Sequence, residues 1–208
     1  MPSQTARKKS RPGIRAPRLE RGKARVAALL AAAAAVFAEK GYDAATMTEV
    51  AARAGASIGS LYQFFPTKEL LATALHEEML DRLLRHLDDI SENAAGRTAA
   101  ELADRLLTDL LEFLVRNPAF TALADRRDID KKRKQATRAR LRRQIADLLS
   151  QASPPLSPER AWIMAIIVLH LMRAAISLSE SDDISTRDTV LSELRRMLRA
   201  HLDSDGAA

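Results

Sequence analysis

Three features of the 208-residue chain predict an all-α fold. Alanine and leucine dominate while β-branched residues are sparse, and no run alternates apolar and polar residues with period two. Apolar residues recur instead at spacings of three, four and seven, and Gly, Pro and Ser/Thr caps divide them into about nine helical segments.

The first helix is expected from about Arg21 to Lys40, with Gly41 taking the left-handed cap conformation. Thr46-Met-Thr-Glu49 forms a capping box that opens a second helix, which ends at Gly55. Ser57 caps a third, with Leu61 and Phe65 facing inward at a spacing of four, and Pro66 stops it. Thr67 caps a fourth helix reaching Leu87 or beyond. A second capping box, Thr98-Ala-Ala-Glu101, starts a helix through Phe113 that ends before Asn117-Pro118. A short segment around Phe120–Leu123 leads to a helix that carries the basic run Lys131–Arg143 and reaches about Ser150. That basic run reads as a solvated helix face. After the break Ser153–Pro158, Ser157 caps a helix through Leu178. A last helix starts near Ser185, and its stripe includes Leu191, Leu194, Leu198 and Leu202.

Charge is distributed unevenly. The formal net charge is +6, yet residues 1–25 hold nine Lys/Arg against Glu20 alone, which leaves the remainder slightly acidic. Pro2, Pro12, Gly13 and Pro17 argue against a regular helix there, so residues 1–20 are expected to form a disordered basic arm attracted to polyanions. Residues 21–71 form a first expected domain and 72–208 a larger helical second one.

Several function classes are excluded. There is no cysteine, hence no disulfide and no thiolate metal site. His76, His86, His170 and His201 lack metal-ligand spacing, and nothing resembles a nucleophile elbow or a phosphate loop. No metal, no cofactor and no enzymatic activity are therefore expected. The run Val26–Ala38 follows basic residues as a signal peptide would, but it is 13 residues of mostly alanine with helical spacing, too short for a bilayer. A cytoplasmic protein without a membrane partner is expected.

The stretch AGASIGSLYQFFPTKELL, Ala54–Leu71, carries the functional signal. Short helices separated by Gly41 and Gly55, the last two joined by a tight turn, describe a helix-turn-helix. The third helix is about 10 Å long and fits a major groove about 12 Å wide. Gly59 and Ser60 let its backbone approach DNA, while Ser57, Tyr62 and Lys68 reach toward phosphates.

These residues, from Thr46-x-Thr-x-Val-Ala through Pro-x-Lys-Glu-x-Leu71, closely resemble the N-terminal signature of the TetR family of bacterial transcription regulators. The resemblance covers residues 24–71. It implies a dimeric all-helical repressor, with an N-terminal three-helix DNA-binding unit and a larger ligand-binding and dimerisation part. It places Thr46 and Thr48 at phosphates. Ser57, Ile58, Gly59 and Ser60 fall at base edges or their flanking backbone, and Tyr62, Gln63 and Lys68 on the strands. Ala56 stands where valine is usual. Phe64 stands where histidine or tyrosine is frequent, and it offers a thymine methyl or sugar contact instead.

Ala161–Met172 is apolar on all sides except His170, which is expected to be a satisfied buried imidazole. Such a helix needs cover from its own chain and from a partner, so a homodimer is expected. Phe113, Trp162, His170 and Met172 are candidate lining for a small-molecule effector, whose identity the sequence leaves open. The expected function is thus a homodimeric regulator of a palindromic double-stranded operator, a repressor released by a small apolar effector. The alternative is a non-specific architectural nucleic-acid binder that uses the basic arm.

Overall fold

The computed structural model describes residues 15–124, 131–179 and 184–205, and these residues form helices and short connections without a strand. Three elements make the N-terminal unit: α1 (Arg15–Ala44), α2 (Met47–Arg53) and α3 (Ile58–Phe64). Then follow α4 (Lys68–Glu92), α5 (Ala99–Arg116), α6 (Pro118–Ala124), α7 (Lys131–Leu149), α8 (Pro158–Ser179) and α9 (Ile184–Asp205).

The caps lie where the side chains dictate. The Thr46, Ser57, Thr67 and Thr98 hydroxyls accept from the backbone amides of Glu49, Ser60, Leu70 and Glu101, each at 3.2 Å. Both capping boxes close, with the Glu49 and Glu101 carboxylates accepting from the Thr46 and Thr98 amides at 3.0 and 2.8 Å. Gly41 (φ 75°) breaks the helical path inside α1, and Gly55 (φ 59°) makes the turn between α2 and α3. Both conformations are ones that side chains with a Cβ rarely adopt.

One boundary differs from expectation. Helix α1 begins at Arg15 rather than Arg21, so Arg15–Glu20 of the expected arm is helical. Pro17 lies in the first turn, where a missing N–H leaves no intrahelical bond unmade, so it starts the helix instead of blocking it. The rest of the arm, residues 1–14, lies outside the described residues.

The core is aliphatic and continuous from the N-terminal unit into the C-terminal part. Leu29 and Phe37 of α1, Leu61 of α3, Leu75 and Leu83 of α4, and Leu106 of α5 are essentially inaccessible to solvent. Each such burial is worth about 1.5–3 kcal/mol of transfer free energy. Helix α8 packs on α7, α5 and α9, and α5 also packs on α9. Helix α4 is common to both parts, touching α1 at one end and α5, α6 and α7 along its length. It is one unbroken helix of 25 residues, and the expected domain boundary at residue 71 falls inside it. Asp109 is the buried charge among the described residues; it is held by Arg105 Nε at 2.7 Å and His86 Nε2 at 3.2 Å.

Two ion pairs fasten α2 to α1: Lys40 with Glu49, and Arg53 with Glu39 at 2.5 Å. The Lys40 ammonium, then the Thr46 hydroxyl and amide, hold the Glu49 carboxyl down to about 2 from its ordinary 4.5. Arg53 lowers Glu39 in the same direction. A carboxyl with a depressed folded pKa stabilises the fold above its unfolded value and loses that contribution as pH falls toward the folded one. Glu49→Gln should therefore be less stable than wild type at neutral pH. The difference should shrink as pH falls from 4.5 to 2, as followed by urea midpoints at each pH.

Candidate nucleic-acid interface

The turn between α2 and α3 is short because Gly55 reverses the chain within one residue, and the Ala56 amide returns to Ala51 O at 2.9 Å. Helix α3 is held from behind by Leu61, fully buried, with Phe65 buried just past its end. Its other faces are open. Ser57, Ile58, Gly59, Tyr62, Gln63 and Phe64 are exposed, and Ser60 is half-buried. Ile58 (40%), Tyr62 (48%) and Phe64 (39%) are large apolar side chains left uncovered on a seven-residue helix. Thr48 is exposed on the adjacent α2.

Gly59 is informative because the fold does not require it. Its φ is not positive, and nothing stands within 4 Å of where a Cβ would sit. Glycine inside a helix costs roughly 0.5–1 kcal/mol relative to alanine. Gly22 of α1 has the same open surroundings, so what sets Gly59 apart is its place on the exposed face of α3.

Two of the residues expected at phosphates have other work. The Lys68 ammonium donates to Tyr42 O (2.9 Å), Asp43 O (3.1 Å) and Ala45 O (3.0 Å), and sits 4.5 Å from the Tyr42 ring centroid. All three of its protons are thus committed, and the lysine neutralises the carbonyl end of α1 rather than reaching outward. The Thr46 hydroxyl likewise donates to Glu49 at 2.9 Å while accepting from the Glu49 amide. The sequence also did not disclose Lys40, Glu39 and Arg53 as ties between α1 and α2. Their opposite charges were visible, but their proximity depends on the angle of the Gly41 corner.

None of the four candidate effector residues lines the cavity between α4 and α5 described below. Trp162 is 40% exposed, with the Arg142 guanidinium 5.2 Å from its ring centroid. His170 is exposed as well, its Nδ1 2.8 Å from Ile166 O; it is not the buried imidazole expected. His170 lies on a side of α8 that its own chain leaves uncovered, and periodicity alone could not tell that side from a packed one. Met172 is buried, and Phe113 is half-buried, meeting Phe120 edge-on at 5.5 Å. A cavity of about 260 Å3 between α4 and α5 is lined instead by His86, Asp89, Ile90, Asn93, Arg97, Leu102 and Arg105. Among the described residues there is no cluster of three or more metal-ligating side chains and no helix long and apolar enough to cross a membrane.

A short helix with an exposed reading face, fixed by a tight glycine turn to a supporting helix, defines a helix-turn-helix DNA-binding protein. Residues 29–75 match the family described as bacterial regulatory proteins, tetR family, and residues 98–202 match the tetracyclin repressor-like C-terminal domain. The chain belongs to the TetR family of DNA-binding transcription regulators, whose members are regulators and not enzymes. It is similar to the HTH-type transcriptional repressor KstR of Rhodococcus jostii, with 33% identity over 94 residues, 45% of this chain and 42% of that protein. It is also similar to the HTH-type transcriptional activator FasR of Mycolicibacterium smegmatis, with 44% identity over 99 residues, 47% of this chain and 40% of that one. The chain thus spans less than half the length of either relative. The crystal structure of the MbdR regulator from Azoarcus sp. CIB superposes with a TM-score of 0.64 at 25% identity, covering 84% of this chain and 96% of that chain.

Replacing Lys68 with methionine removes three hydrogen bonds from a charged donor and leaves three carbonyls to water. The expected loss is about 1–3 kcal/mol, measured as a lower urea midpoint with an unchanged slope. Loss of DNA affinity without loss of stability would contradict this placement.

Proposed function

We propose that the protein is a homodimeric, cytoplasmic transcriptional repressor that binds a palindromic operator through α3 and is released by a small apolar effector. The observation that carries the DNA reading is Gly59: a glycine in the reading helix that no contact within the chain calls for. Ser57, Ile58, Gly59 and Ser60 approach base edges or the flanking backbone, and Thr48, Tyr62 and Gln63 contact phosphates. Phe64 and Ile58 supply apolar contacts, for which the thymine methyl is the complementary group. Thr46 and Lys68 act by holding the unit together. Residues 21–71 form the DNA-binding domain and 72–208 the effector and dimerisation domain, with α4 shared between them.

Dimerisation is supported by α8. Its exposed or partly exposed positions Ile163, Ile167, His170 and Ala174 recur at spacings of four, three and four, a mostly apolar stripe on one face. Met197 on the neighbouring α9 is 57% exposed. A self-complementary surface of this kind suits a two-fold partner. Release by an effector is supported by the aromatic chain Phe113–Phe120–His76, with His76 stacked on Phe120 at 5.1 Å, because it joins α5, α6 and α4. An apolar molecule inserted beside Phe113 displaces α6, which also packs on α1. Repression is supported by the similarity to KstR, whereas FasR is named an activator, so a reporter assay with the operator at its promoter decides the sign.

Selection of random duplex by the purified protein tests the reading. It should return two inverted half-sites with centres one helical turn apart, about 34 Å, or a multiple of it. A pool without enriched sequence would favour the architectural alternative. Gly59→Ala separates function from fold. It should raise stability by about 0.5–1 kcal/mol while weakening operator binding at least tenfold, since the added methyl projects into the space left for DNA. Increased stability with unchanged affinity would remove α3 from the interface.

A further inference from the structure

Helices α4 and α5 leave a cavity of about 260 Å3 between them, toward the end of α4 that is remote from the reading helix. Ile90, which lines it, lies about 33 Å along the α4 axis from Lys68. Ile90 and Leu102 are buried and give the cavity an apolar base, while Arg97 and Arg105 give it charge. The connection between the two helices is fixed. Gly96 (φ 74°) turns the chain, the Arg97 amide donates to Ala94 O at 3.1 Å, and Arg97 O accepts from the Ser153 amide at 2.8 Å. Asn93 on the rim is held as well, its Nδ2 donating to Asp89 O at 2.8 Å.

Both arginines are pinned by the same edge. Arg105 Nε donates to Asp109 at 2.7 Å, and Arg97 Nε donates to Asn93 O at 3.0 Å. Among the described residues, no group accepts from the Nη atoms of either one. A guanidinium pinned at Nε keeps its Nη pair as a planar two-donor edge, which a carboxylate matches. Pinning also removes side-chain freedom before anything binds. Asp109 is the telling residue. A carboxylate only 7% exposed is costly to bury, and its charge is answered by Arg105 and by His86 Nε2 at 3.2 Å. Both of those partners line the cavity, so the buried acid orients groups of its wall. One exposed acid, Asp89, also stands on the wall, where it opposes an anion and limits its affinity.

We propose that this cavity binds a small organic anion, a monocarboxylate with a compact apolar body. The carboxylate takes the Nη edges of Arg97 and Arg105, and the body lies on Ile90 and Leu102. The cavity is smaller than the roughly 300–1,000 Å3 of sites for drug-sized molecules, so its ligand is small. An anion is favoured over a cation because the charge of Asp109 is already neutralised, whereas two guanidinium edges are left to donate. The site is separate from the aromatic chain Phe113–Phe120–His76. Phe113 lies about 16 Å beyond Leu102 along α5, and none of the three aromatic residues lines this cavity. The inference therefore stands apart from the DNA reading of α3 and from the apolar effector proposed above.

The test uses the full chain without DNA, with cyclohexanecarboxylate as the probe and equilibrium dialysis as the readout. The wild-type chain should bind the acid at millimolar concentration. Cyclohexanecarboxamide, of the same shape without the charge, should bind more weakly by about tenfold or more. R97Q changes an exposed side chain outside the core, and it should weaken the acid by about tenfold. D89N removes the like charge and should strengthen it by up to about fivefold. Unchanged circular dichroism and urea midpoints show that both variants keep the fold. No binding of the acid, equal binding of acid and amide, or unchanged affinity in both variants overturns the proposal. Weaker binding by D89N overturns it too, since the acid has no cationic group for Asp89 to hold. None of these outcomes bears on operator selection, so the α3 reading stands or falls by its own test.

Discussion

The Lys68 ammonium is the joint on which the geometry of the reading unit depends. Helix α1 ends in carbonyls that point away from its own hydrogen bonds, and the Gly41 corner would otherwise leave Tyr42, Asp43 and Ala45 facing solvent. One lysine at the first position of α4 answers all three, with the Tyr42 ring against its charge. Tyr42 also donates from its hydroxyl to Glu69 at 3.3 Å, so the corner and the start of α4 are joined twice. A cation at a helix C-terminus is favourable in itself, and partial burial strengthens each of its hydrogen bonds. The consequence is mechanical. Helix α3 hangs between α2 and α4, with Leu61 and Phe65 in the shared core, so its direction is set by elements that Lys68 holds together. Loss of this lysine would therefore loosen the elements that orient α3.

Much of this architecture is legible in the sequence because it is built from local rules. Thr46 with Glu49 and Thr98 with Glu101 are capping boxes at any position in any helical protein, and Gly55, Pro66 and Pro118 punctuate helices for backbone reasons alone. Leu61 and Phe65 could be assigned to the core from their spacing. What the sequence conceals is where a long side chain finds its partner. Lys68 at the start of a helix beside a helix-turn-helix invites a phosphate, and only the fold shows that the end of α1 reaches it first. The same holds for Glu39 and Arg53. Trp162 and His170 mislead differently: a helix apolar all round announces that it needs cover on several faces, but it does not say which face its own chain provides. Pro17 misleads because a proline that breaks a helix in its interior is well suited to start one.

The relation of α4 to both parts gives the proposed regulation its physical content. A 25-residue helix is about 37 Å long, and here its first turn is fixed at the DNA-binding unit while its middle and end pack on α5, α6 and α7. A coupling free energy between two sites requires two arrangements that each ligand distinguishes. Helix α6 is the element through which the proposed regulation would meet that requirement most directly. It is one short helix, seven residues long, packed on both α1 and α4, and its Phe120 is stacked on His76. A shift of α6 would therefore act on both sides of the Lys68 joint at once, because α6 packs on both helices that the lysine holds together. In a dimer the two shifts would be related by the two-fold axis, so a small rotation per chain would change the separation of the two reading helices by twice its projection along the operator.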